Sequence, residues 1–204
     1  MLKRSLPDLP TPRRAGGVSM LEVLVAIFIL TVGLLGAAGL QSQMQMAEIE
    51  AYQRAQAIVL LQDMVDRVNV NRKNADDYVT DPATPLGTAA LDCSALVDNA
   101  EKDKCEWNNA LFGASETKDG GAQKLGAMNA ARGCITNPVA VMPAEVVVAV
   151  AWQGLRPTVA PGATTCGKVD AVDDRTRRAM IARITIGCLQ NDPATGLCVT
   201  VLGP

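Results

Sequence analysis

Residues 18–40 form a run of 23 with a single charged side chain, Glu22. At ~1.5 Å per residue, a helix of this length reaches ~34 Å, enough to cross the ~30 Å hydrocarbon core of a bilayer. A cleaved secretory signal has a shorter apolar region, roughly 7–15 residues, with its small residues after it. Here the small residues Ala15, Gly16 and Gly17 come first. The run therefore predicts a retained transmembrane helix. It also demands a reason for the acid near its start, because an ionisable group costs roughly 2.5–3.5 kcal/mol at a helix centre.

The flanks set an orientation. Residues 1–17 carry Lys3, Arg4, Arg13 and Arg14 against Asp8, a net charge of +3. With −2 for the whole chain, the remainder carries −5. A basic leader before an apolar span predicts a cytoplasmic N-terminus and an exported C-terminal domain. Pro7, Pro10 and Pro12 make the leader extended, and Gly16 and Gly17 loosen its junction with the span. No basic face suited to nucleic acid is visible beyond it.

A loose basic leader, a glycine, an apolar helix and an early Glu together resemble the class III signal of type IV pilins and type II secretion pseudopilins. That resemblance implies cleavage by the prepilin peptidase after Gly17, leaving Val18 as an N-methylated first residue where the family most often has Phe. It also places Glu22 at the fifth mature position, as an assembly residue. The freed amine of Val18 would be a cation at membrane depth, and a carboxylate on a neighbouring subunit's helix could pair with it. Both groups are costly alone in lipid, so pairing would favour docking in register. The plainer alternative is a Glu that snorkels from a simple anchor.

Gly33, Gly36 and Gly39 recur every third residue in the span and suggest either a close-packing face or local flexibility. Beyond Leu40, the residues Ala51, Ala55, Ile58, Leu61, Val65 and Val68 mark one helical face. No proline occurs between Pro12 and Pro82. One helix is thus expected from about residue 18 to about 72, its second half packed on the domain, ended by the helix-poor "NVNRKNADD". This divides the chain into a leader (1–17), a transmembrane helix (18–40), its amphipathic continuation (41–73) and an exported domain (74–204).

Six cysteines, Cys93, Cys105, Cys134, Cys166, Cys188 and Cys198, all lie in that last part. Their even number fits disulfides in an oxidising compartment, with fifteen pairings open and buried thiols as the alternative. A local scheme would staple Cys93 to Cys105 and close a hairpin with Cys188 and Cys198, leaving Cys134 for Cys166. Within "CSALVDNAEKDKCEWNNALFG" a helix is expected, with Trp107, Leu111 and Phe112 packed on the core. "DPATPLG" and "KDGGAQKLG" read as turns or loops. Strands are expected at 144–154, 177–188 and 197–203, with a shorter one at 133–137.

The expected fold class is α+β: a long N-terminal helix on a small antiparallel sheet, pilin-like by the resemblance. "WNNAL", "RGCI" and "VVVAVAWQG" look most like PilV-type minor pilins. The implied function is a minor pilin in type IV pilus assembly or priming, with effects on motility or attachment. Its implied partners are other minor and major pilins, the prepilin peptidase and the inner-membrane assembly platform. The implied location is a single pass through the inner membrane, then the pilus surface. A type II secretion pseudopilin or a membrane-anchored periplasmic binding module are the alternatives.

The chain contains no histidine, which excludes Ser–His–Asp and Cys–His chemistry. No phosphate loop or nucleophile elbow appears, so neither an enzyme nor a cofactor is expected. Without histidine or C-x-x-C, structural zinc is not expected either. Asp76/Asp77 and Asp173/Asp174 read as solvated charge, and "DAVDD" at 170–174 lacks the spacing of a calcium loop.

Overall fold

The computed structural model describes residues 17–113, 117–118, 123–124, 128–139 and 144–187. The chain divides into two compact units, Met1–Gln45 and Met46–Pro204. Helix α1, Met20–Val70, contributes to both. It starts two residues later than expected and gives way to a 3-10 helix, Arg72–Tyr78, kinked at Asn74.

In the first unit every described residue of α1 is exposed, and a Cβ at Gly33, Gly36 or Gly39 would meet nothing. In the second unit α1 buries Gln53, Ala57, Leu61, Met64 and Val68. The expected stripe therefore holds only from Leu61 onward. Ala51, Ala55 and Ile58 are exposed, and the face used instead lies two residues, about 200°, around the helix. The reason is packing. Ala57 is fully buried, a small side chain that lets the helix sit close, and Gln53 is carried inside with its Oε1 unpaired.

Helix α2, Asn99–Phe112, starts where Asp98 accepts a hydrogen bond from the Glu101 N–H at 2.9 Å, and stops at Gly113 in the left-handed conformation. An Asp98→Ala chain should lose about 1 kcal/mol of stability, read as a lower thermal midpoint without a change of fold.

The sheet combines β3 (Arg132–Val139), β4 (Ala144–Gln153) and β5 (Arg177–Ile186) in the order β3-β4-β5, antiparallel throughout. Its register pairs Cys134 with Ala149, and Val148 with Ala182. The β3–β4 ladder shifts between Thr136 and Val139, where Pro138 has no N–H to give. A two-residue ladder, β1 (Thr117–Lys118) with β2 (Gln123–Lys124), stands in the segment expected to be loop. The expected strand 197–203 lies outside the described residues.

Strand β4 explains its own composition. Val146, Val148, Val150 and Trp152 enter the main core with Leu61, Met64 and Val68 of α1. Ala149 and Ala151 point the other way and pack with Cys134 and Cys166. A strand covered on both faces reads as a continuous apolar run, which is what "VVVAVAW" is. The architecture is α+β.

Candidate assembly site

In the first unit, Gly17, Val18 and Ser19 precede α1 and are not helical. Ser19 is its cap. The Glu22 N–H donates to Ser19 Oγ at 3.2 Å and to the Ser19 carbonyl at 3.1 Å, and the Val23 N–H reaches the same carbonyl at 3.3 Å. This is the S-x-x-E spacing of a capping box. The spacing is legible in the sequence, and it starts the helix at Met20, inside the edge of the apolar run.

The cap places Glu22 in the first helical turn. There, unpaired N–H groups and the helix dipole favour a negative charge. Val18 is 70% exposed, and a Cβ at Gly17 would meet nothing within 4 Å among the described residues. The arrangement is an accessible Gly17–Val18 peptide bond followed, within one turn, by an accessible carboxylate. It can offer a backbone to a peptidase and an anion to a cation. α1 is long and apolar enough to cross a membrane.

The second unit is fastened by side chains that periodicity does not reveal. The Trp107 indole N–H donates to the Leu60 carbonyl at 2.8 Å, and its ring lies against Gly133, where a Cβ would come within 2.4 Å of it. Asn108 accepts from the Gly87 N–H at 2.7 Å and donates to the Ala89 carbonyl at 2.7 Å. Asn109 accepts from the Leu91 N–H and donates to the Leu91 carbonyl, both at 2.8 Å. The "WNN" of the sequence is thus one indole docking α2 on α1 and two amides clamping the irregular segment 87–91. The signal was present: two adjacent asparagines are unusual inside a helix.

Two disulfides complete the frame, Cys93–Cys105 and Cys134–Cys166. Cys188 and Cys198 lie outside the described residues. Arg67 ties α1 to α2 through Asp103 at 2.7 Å and Glu106 at 2.8 Å, and holds Asp63 along its own helix. Burial alone would lower the pKa of Arg67, but these three carboxylates outweigh it and raise it. The Tyr78 hydroxyl donates to Asp103, and burial first, then this bond, push its pKa up to about 12.

The paired acids are less free than the sequence suggested. Asp76 accepts from the Asn137 amide at 2.7 Å. Asp173 caps the short 3-10 helix Asp174–Thr176 and pairs with Arg175. Asp174 pairs with Arg177 at 2.6 Å, and the hydrogen bond from that guanidinium holds its carboxyl below the usual range. Arg177 itself is buried and donates to the carbonyls of Pro161, Thr164 and Cys166. Among the described residues no group of three acidic or cysteine side chains stands ready for a metal ion.

Two family models match the chain. Residues 12–38 match the prokaryotic N-terminal methylation motif, and residues 39–109 match the type IV pilin Tt1218 family. No curated protein and no solved structure gives a significant match. The first match ends where the second begins, and together they cover the leader junction, Ser19, Glu22, all of α1 and most of α2. Over residues 12–109, then, the chain is similar in sequence to an N-terminal methylation motif followed by the type IV pilin Tt1218 family, a stretch that takes in the long helix α1 and most of the disulfide-stapled α2.

Proposed function

We propose that this chain is a minor pilin of a type IV pilus, of the PilV type, that acts in assembly or priming and through it in motility or attachment. The carrying observation is the methylation motif running without a break into an exposed apolar helix with Glu22 in its first turn. The prepilin peptidase cuts between Gly17 and Val18, and the new amine of Val18 is methylated. Residues 1–17 are the leader, 18–40 cross the inner membrane with the N-terminus in the cytoplasm, 41–73 continue the helix, and 74–204 are exported. Glu22 then pairs with the Val18 amine of a neighbouring pilin at the assembly platform, and the subunit leaves the membrane for the pilus.

The PilV assignment is supported by "WNNAL" and "RGCI", because these stretches supply the indole that rests on Gly133 and the cysteine bound to Cys166. The third bond, Cys188–Cys198, belongs to the same proposal.

The test is the intact mass and N-terminal sequence of the membrane-extracted protein, with and without the prepilin peptidase. A peptidase-dependent start at Val18 with one added methyl group is expected. A start at Met1 in both strains would show an ordinary anchor and end the pilin reading.

A further inference from the structure

We propose that a pocket beside α2 receives the loop 155–159 of a second copy of this chain, in a heterologous contact between two different patches. The contact lies within the second unit, goes beyond the pilin reading, and does not depend on cleavage at Gly17.

The pocket, about 560 Å³, opens between α2 and the segments 80–86 and 91–96. Its apolar wall is Leu86, Leu91 and Leu96, of which Leu91 is 51% exposed. Its rim carries Asp81, Asp92 and Glu101 against one cation, Lys104, whose ammonium donates to the Asp77 carbonyl. The walls have little regular structure, yet they are fixed by Cys93–Cys105 and by the Asn108 and Asn109 clamps. A leucine-walled, acid-rimmed and pre-shaped pocket suits an arginine between two apolar side chains.

The chain presents such a segment elsewhere. Leu155 is 46% and Val159 90% exposed, with Arg156 close to Leu155 in sequence. From 154 to 169 there are two cations, Arg156 and Lys168, and no acid. The Arg156 guanidinium meets only the Met46 sulfur among the described residues, and a thioether is a weak acceptor. This loop is also held in advance. The Gly154 and Thr158 N–H groups donate to the Thr176 and Arg175 carbonyls, and the Arg156 carbonyl accepts from Arg178. Two rigid surfaces lose little freedom on meeting.

Their placement excludes pairing within one copy. Arg156 sits at Met46 of α1, whereas α2 is docked at Leu60 and Arg67. Those positions are about 20–30 Å further along the helix. Different patches on the two partners make the contact heterologous, so it is not a two-fold pairing of one patch with itself.

The test uses the full chain in detergent at low salt, with a photoreactive residue at Thr84, an exposed position on the pocket wall. Irradiation should give a two-chain adduct whose cross-linked peptide contains residues 155–159. Arg156→Glu should lower its yield tenfold or more, and so should raising the salt. Copies carrying Asp92→Lys with Glu101→Lys and the probe should also capture one another poorly. Mixing those copies with Arg156→Glu copies should restore the adduct, which a folding defect in either variant would not allow. No adduct, an adduct at another segment or to another protein, indifference to Arg156→Glu, or no recovery on mixing would each overturn the contact.

Discussion

Glu22→Ala chains are expected to be cut like the parent and to be nearly missing from sheared filaments, whereas Gly17→Leu chains should stay uncut in the membrane. The two outcomes separate because the two residues act at different steps. Gly17 lies outside the helix, and a Cβ there would meet nothing within 4 Å among the described residues, so on the proposed reading a bulky residue changes what the peptidase must accept. On the same reading Glu22 acts after the cut, as the one charge in the span. Leaving one member of a desolvated ion pair without its partner costs roughly 3–5 kcal/mol, so incorporation should fall about a hundredfold or more. Glu22→Gln keeps the shape without the charge and should fall nearly as far. Filament and membrane fractions quantified by mass spectrometry would decide it. Normal incorporation of Glu22→Ala would rule out the pairing of amine and carboxylate.

Trp107→Ala should be the most damaging change in the second unit, at about 3–5 kcal/mol. It empties a fully buried site, removes the bond to the Leu60 carbonyl, and uncovers Gly133. Against a typical domain stability of roughly 5–15 kcal/mol, that leaves a protein close to unfolding. Gly133→Val attacks the same contact from the opposite side, since its Cβ would need the space of the ring. Denaturant titration of the full chain would read both. In Trp107→Ala, Trp152 remains as the sole indole, which makes its emission a clean probe of the sheet. A shift below 1 kcal/mol would mean that α2 is held by the Arg67 cluster instead.

The sequence was most readable where one pattern had one solution. The absence of proline between 12 and 82 made the long helix plain, and β-branched runs located β4 and β5 almost to the residue. The stripe over 51–58 was misplaced because "AQAIVLL" is apolar nearly all round, and periodicity cannot choose between its faces. Only contact with the sheet decides that Ala57 goes in and Ile58, 39% exposed, stays out. Within the candidate site, Gly17, Val18 and Glu22 are named by the resemblance to the class III signal, and the spacing alone does not single them out. Ser19 was overlooked although its signal was local. For the Asn108 and Asn109 clamps the adjacent asparagines are a signal, but their partners at 87–91 carry no pattern of their own, so the contact itself is not readable.

The two bridges have a mechanical consequence. Cys93–Cys105 and Cys134–Cys166 span 12 and 32 residues. At about 3.4 Å per residue, they withhold roughly 150 Å of contour from a chain drawn out at its ends. A subunit drawn out under load would thus go taut through covalent bonds that much sooner, until a reductant let out the slack.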